Sequence, residues 1–358
     1  MKVFISDCEG PISKNDNAFE LTSHFVPNGE KIFRVVSRYD DVLADVLKRP
    51  KYKPGNTLKF MLPFLKAYGV TDEKMRDFSS KNIILIPNIR RTLNHIRSIA
   101  KAFIISTSYE HYIKALCKVL NFPFENTYCT RVTINKYRIT EEEREKLKKL
   151  ADEIAKMPII KIPAEAKTIT DFSDIDKRVI QRLDEIFFDE LLKMESGKML
   201  LEINPIGGIE KAEAVKDIVE KLATKLSEVI YVGDSITDLE AFKLVRENDG
   251  LTVSFNGNQY AVKNAEIAVL SNSSLPIAVI AEVFTLFGKQ KVLELVEKWS
   301  FKTVKGVISQ TLLDDLSGIS PNEFPKVKLV TNENMKALAE ESSKFRKEVR
   351  GEIIGGLG

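Results

Sequence analysis

Near the N-terminus, the apolar run Lys2-Val-Phe-Ile-Ser6 stops abruptly at the acidic turn Asp7-Cys-Glu-Gly-Pro11. The run shows no alternation of apolar and polar residues, as expected of a strand covered on both faces in a parallel sheet. Runs of the same kind recur downstream. Ile83-Ile-Leu-Ile86 is one, and Ala102-Phe-Ile-Ile105, ending in Ser106-Thr-Ser108, is another. Met199-Leu-Leu-Glu-Ile203, Val229-Ile-Tyr-Val232 and Leu251-Thr-Val-Ser-Phe255 follow, and Ala265-Glu-Ile-Ala-Val269 supplies one more. Between them, helical periods appear at Ile89, Leu93, Ile96 and Ala100, through Tyr112, Ala115 and Leu116, and at Val215, Ile218, Val219, Leu222 and Leu226.

Buried strands alternating with amphipathic helices predict an α/β fold, a doubly wound parallel sheet. This Rossmann-like core is expected over residues 1–13, 82–135 and 200–285. Residues 14–81 carry helical patches broken by Pro27-Asn-Gly29 and Lys53-Pro-Gly55, and read as an inserted helical cap. Residues 136–199 form a second helical insertion, opened by the capping sequence Thr140-Glu-Glu-Glu143 with a stripe at Leu147, Leu150, Ile154 and Met157. Residues 286–358 read as a C-terminal extension.

The bulk properties exclude several classes of function. The 358 residues are 44% hydrophobic and 29% charged, with a net charge of +3. A charge this balanced gives no push towards nucleic acid or an acidic membrane surface. Three cysteines, Cys8, Cys117 and Cys129, are too few for a disulfide framework and match no zinc spacing. The longest apolar run, Leu275 to Phe287, contains Glu282 and is too short for a membrane span. With an acidic residue at position 7 and no signal-peptide pattern, a cytoplasmic enzyme is expected.

In doubly wound sheets ligands bind at the carboxyl ends of the strands. Those ends carry Asp7 and Glu9, Ser106 and Thr107, and Asp234 with Asp238. Clustered acids at strand tips require a cation, and an all-oxygen set beside a phosphate suits Mg²⁺. Asp7 and Asp234 are the candidates for direct ligands. Asp238, one turn further, can hold a metal-bound water or support the site from behind. An Asp-X-Glu pair supplies an ionised carboxylate to attack phosphorus and a protonated one to assist the leaving alcohol. Ser106 and Lys211 can bind non-bridging phosphate oxygens, and Thr107 or Ser108 can share that contact. Lys211 follows the Gly207-Gly208 turn at a helix start and is preferred to Lys216. Gly10 lets the backbone approach the phosphate.

The set resembles the haloacid dehalogenase-like (HAD) superfamily of phosphatases and phosphotransferases. The resemblance rests on Asp7-Cys-Glu-Gly10, Ile104-Ile-Ser106-Thr107, Gly207-Gly-Ile-Glu-Lys211-Ala212 and Gly233-Asp234-Ser-Ile-Thr-Asp238, in that order. It implies Asp7 as nucleophile and metal ligand, and Glu9 as acid and base with a main-chain carbonyl on the metal. It also implies Ser106 and Lys211 on phosphate, Asp234 and Asp238 at the metal, and a cap like that of phosphoserine phosphatase-type members. The commonest first motif in the family is DxD; Glu9 gives the DxEG form of enolase-phosphatases and of a phosphoserine:homoserine phosphotransferase group. The whole chain also resembles HAD-like proteins of methanogenic archaea associated with energy-converting hydrogenase operons.

The expectation is a magnesium-dependent phosphatase acting on a small phosphorylated metabolite through an aspartyl-phosphate. Its rivals are a phosphotransferase to an alcohol, and a non-catalytic subunit docking a protein partner through the insertion or the extension. Cys8, between two carboxylates, is expected to be a bystander with a raised pKa. His24, His95 and His111 have no partner pattern. Arg34, Arg38, Asp40 and Asp41 in the cap could touch the far end of a substrate but are read as a solvated helix face, as are the Lys/Glu runs at 141–149 and 340–352.

Overall fold

The computed structural model describes residues 1–318 and 324–357. Its centre is a seven-stranded sheet in the order β3-β2-β1-β4-β5-β6-β7. The strands are β1 (Val3–Ser6), β2 (Lys101–Tyr109), β3 (Thr127–Thr130), β4 (Val229–Gly233), β5 (Leu251–Phe255), β6 (Ile267–Leu270) and β7 (Lys326–Leu329). All neighbours pair in parallel except β7, which closes the β6 edge antiparallel. The β1 strand is central, with Phe4 opposite Ala102 on one side and Ile230 on the other.

Both faces of the sheet are covered, which is why its strands read as unbroken apolar runs. Phe4, Ile104, Ile230 and Val232 pack under the helices Ile89–Ile99 and Leu275–Phe287. Val3, Ile5, Ile105 and Tyr231 face the opposite layer, built from Ile209–Lys221 and Leu239–Glu247. Every one of those strand residues is nearly inaccessible.

Two expected strands are absent. Residues 83–86 make only an isolated bridge, Ser13 to Leu85. The segment links the cap back to the core, hydrogen-bonding across the first turn (Lys14 N–H to Ile84 O, 2.8 Å), and Ile84 is 56% exposed. Met199–Ile203 is helical, Lys198–Glu202. Met199, Leu200 and Ile203 pack into the cap while Leu201 is 73% exposed, a one-sided burial that a helical turn satisfies and a fully covered strand does not.

The two helical insertions form one body. Val35, Tyr39, Phe60 and Phe64 of the first share a continuous apolar cluster with Leu147, Ile154, Ile180 and Phe187 of the second. Tyr39, Phe60 and Phe187 rings lie against one another, and Arg49 pairs with Asp184 at 2.9 Å. The apolar stripe of 136–199 is therefore spent inside the molecule, widening the cap. The cap touches the core at the loop around Pro54. There Gly207 lets the chains close: a Cβ on it would lie 2.7 Å from Pro54 O.

The C-terminal extension folds back over the sheet edge. Leu338 and Ala339 of the helix Met335–Arg350 pack against Val262, Ala268 and Leu270. Ser342 Oγ donates to Gly257 O at 2.7 Å. Among the described residues no helix is long and apolar enough to cross a membrane.

Candidate active site

The carboxyl ends of β1, β2 and β4 meet under the cap, at a cavity of about 100 Å³. Asp7 leaves β1 with its N–H still on Val232 O (2.8 Å), so the sheet itself aims the carboxylate. Asp7 Oδ1 accepts the Cys8 N–H at 2.6 Å, and Oδ2 accepts Lys211 Nζ at 2.6 Å. Lys211 also donates to Asp238 Oδ1 at 2.7 Å and is fully buried. Burial opposes its charge, but Asp238 and Asp7 together more than compensate and raise its pKa.

Asp7, Asp234 and Asp238 are all buried, and each offers an oxygen within 4.8 Å of the others. Three converging carboxylates are a hard-oxygen donor set that fits a divalent cation. They are not equivalent. Asp238 Oδ1 already accepts Lys211 and the Tyr231 hydroxyl (2.8 Å), and its Oδ2 accepts the N–H groups of Asp234 (2.9 Å) and Ser235 (3.0 Å). Asp7 and Asp234 both lie on the cavity wall, whereas Asp238 does not.

Burial, opposed by Lys211 and reinforced by Asp238 and Asp234, pushes the Asp7 carboxyl up to about 7. A bound cation would draw it back down. Glu9 is raised well above the ordinary range by burial and then by Asp16; the Asn17 N–H, the Ser108 hydroxyl and Arg350 act in the opposite direction. Its Oε1 accepts the Asn17 N–H at 2.7 Å, at the start of the first cap helix. Glu9 lies on the same cavity wall as Asp7.

Thr107 is on the cavity wall. Ser106 is buried, and its hydroxyl accepts the Ser108 N–H at 3.1 Å. Gly10 sits at φ +110°, and a Cβ there would fall 2.0 Å from Asp234 Oδ2. Its bare backbone makes room for that carboxylate. Cys8 is buried, and burial first, then Glu9 and Asp7, keep its thiol protonated.

The chain belongs to the haloacid dehalogenase-like hydrolase family. The family model matches residues 55–282. A gene product of Archaeoglobus fulgidus is similar over 100% of this chain and 99% of its own, at 26% identity and a TM-score of 0.81. A substrate-bound phosphoserine phosphatase is 12% identical with a TM-score of 0.47, covering 77% of this chain and 96% of that one. An apo phosphoserine phosphatase gives 13% and 0.43 over 77% and 96%.

This haloacid dehalogenase-like hydrolase has site residues that the sequence reading did not single out. Asp16, Arg346 and Arg350 line the cavity, as does Asp41, which the sequence placed on a solvated face. Asp40 and Asp41 are buried, not solvated: Asp40 Oδ2 accepts the N–H groups of Gly55 and Thr57 (both 3.0 Å), shaping the loop that closes on the core. Arg346 and Arg350 lie in the Lys/Glu-rich run expected to face solvent, yet both side chains are only 4% exposed and both pair with Asp234. A signal was present. Leu338, Ser342 and Arg346 recur every fourth residue, which places Arg346 on the buried stripe.

Proposed function

We propose that this hydrolase is a magnesium-dependent phosphatase that transfers the phosphoryl group of a small phosphorylated metabolite to Asp7 and then to water. The observation that carries the reading is that Asp7 and Glu9 share one cavity wall while their surroundings prepare them for opposite tasks. Lys211 donates to Asp7 at 2.6 Å and favours its ionised form. Burial and Asp16 keep Glu9 protonated. Burial raises both carboxyls, but only Asp7 has a lysine beside it, and a bound cation would complete its ionisation; a charged nucleophile beside a protonated acid is what acid–base-assisted displacement needs.

An Asp7 oxygen attacks phosphorus as the P–O bond to the leaving alcohol breaks, and the Glu9 proton passes to that alcohol oxygen. Glu9, now ionised, takes a proton from water, whose oxygen attacks the aspartyl-phosphate; phosphate leaves and Asp7 is regenerated. Asp7 and Asp234, with the Glu9 main-chain carbonyl as the family resemblance implies, would hold a magnesium ion, which when bound would supply positive charge beside the phosphoryl oxygens. Asp238 fixes Lys211 against Asp7, consistent with its four protein donors. Thr107 and the Ser106 segment face the phosphoryl group from β2. The closed cap limits the substrate to a small molecule.

The test is phosphate release from a panel of small phosphomonoesters with magnesium, wild type beside Asp7→Asn. Release that requires magnesium and disappears in the variant supports the reading. Absence of release across the panel, together with absence of magnesium binding, would sink it.

A further inference from the structure

The helix Met335–Arg350 brings two guanidinium groups to the cavity wall beside Asp7 and Glu9. Their positions are built, not incidental. Leu338 and Ala339 seat the helix on Val262 and Ala268, and Ser342 ties it to Gly257 O. Arg346 follows one turn after Ser342, and Arg350 one turn after that.

A donor count separates the two. Arg350 uses all three nitrogens: Nε donates to Lys14 O at 3.1 Å, Nη2 to Asn15 O, and Nη1 to Asp234 Oδ2 at 3.2 Å. Arg346 pairs through Nη1 with the same Asp234 oxygen and with Asp234 O at 3.3 Å, and reaches Leu357 O through Nη2 at 3.5 Å. Among the described residues its Nε has no hydrogen-bond partner, although the residue is only 3% exposed. A buried, charged donor without an acceptor is costly. The unused donor, on a side chain that lines the cavity, asks for an anionic oxygen.

We propose that Arg346 is a ligand of the transferred phosphoryl group and that Arg350, held by Lys14 and Asn15, positions Asp234 beside it, so that the C-terminal extension supplies part of the phosphate-binding site. The assignment rests on the phosphatase reading for its choice of anion. Guanidinium groups match tetrahedral oxyanions through paired N–H donors, which a lysine does not reproduce. Asp234 then acts as the anchor that holds the Arg346 fork at the cavity in the absence of substrate. The extension thereby becomes an obligatory part of the site.

The experiment is calorimetric titration of the full chain with inorganic phosphate in excess magnesium, for wild type, Arg346→Gln and Arg346→Lys. Thermal melts confirm that each variant is folded. Arg346→Gln is expected to weaken phosphate by about tenfold or more, the scale of a charge-assisted hydrogen bond. Arg346→Lys, which keeps the charge and loses the fork, is expected to fall between. Should Arg346→Gln fail to fold, Arg346→Lys carries the decision. Unchanged phosphate affinity in the folded variants overturns the assignment, even if wild type releases phosphate from phosphomonoesters. Wild type that binds no phosphate overturns it too. Arginine-dependent phosphate binding by a protein that hydrolyses no phosphomonoester upholds the assignment and removes the phosphatase reading instead.

Discussion

Asp7 and Asp234 stand at the ends of adjacent strands, β1 and β4, and face the same cavity, but they are neutralised in different ways. Asp7 is served from within the core. Lys211 bridges it to Asp238, whose remaining lone pairs are taken by Tyr231 and two backbone N–H groups. That half is a closed network, in which every polar group is answered by a neighbour fixed by the sheet. Asp234 is served from the other end of the chain, by two arginines of the C-terminal helix, one of which keeps an unanswered donor. The closed half holds the Asp7 carboxylate, the proposed nucleophile, in place. The open half has unused binding capacity, as expected of the side on which a ligand arrives.

The predictions break or sharpen this contrast. Asp7→Asn is expected to lower phosphate release by about 10⁴-fold or more, with the fold intact by circular dichroism. Activity within an order of magnitude of wild type would remove Asp7 from the chemistry. Lys211→Met leaves two buried carboxylates without their common cation. The expected loss is about 3–5 kcal/mol in urea unfolding, much larger than for any surface lysine. A loss under about 1 kcal/mol would show that the closed network is not electrostatically coupled.

Glu9→Gln removes the proposed acid but keeps a side-chain oxygen to accept the Asn17 N–H. Phosphate release should fall by about 10²–10³-fold, and substrates with activated leaving groups should suffer least. An equal loss for good and poor leaving groups would contradict the acid role. The smallest effect concerns the cap. Burial, opposed by the Asn15 amide and reinforced by Asp16, lifts Glu20 from the ordinary 4.5 to about 7. The folded state holds this proton more tightly than the unfolded chain. The associated stability is therefore complete below pH 4.5 and is lost as pH rises through about 7. Glu20→Gln should flatten the fall in Tm between those values; an identical slope would show that Glu20 does not titrate there.

The closed half was legible in the sequence because its determinants are local. Asp7 directly follows the apolar run Val3-Phe-Ile-Ser6, and Lys211 lies a fixed short distance after the Gly207-Gly208 turn, so both could be found by local pattern. The open half was not, because what makes Arg346 a site residue is a contact with Asp234 across 112 positions. A run rich in Lys and Glu carries the composition of a solvated face, and only the four-residue spacing of Leu338, Ser342 and Arg346 argued otherwise. The cap shows the same limit. Both insertions were readable as helices, yet their union depends on Phe60 meeting Phe187, which no local pattern encodes. Met199–Ile203 misled for a related reason: a short apolar run suits a buried strand or one helical turn equally, and the neighbouring cap decided it.

The measurement that bears most directly on the chemistry is mass analysis of protein quenched in acid during turnover of a phosphomonoester found active in the panel. The account predicts a fraction of the chain heavier by one phosphoryl group, the modification lying on the peptide that contains Asp7 and absent from Asp7→Asn. A phosphoryl group found on another residue, or full turnover with no labelled protein under rapid quench, would contradict it.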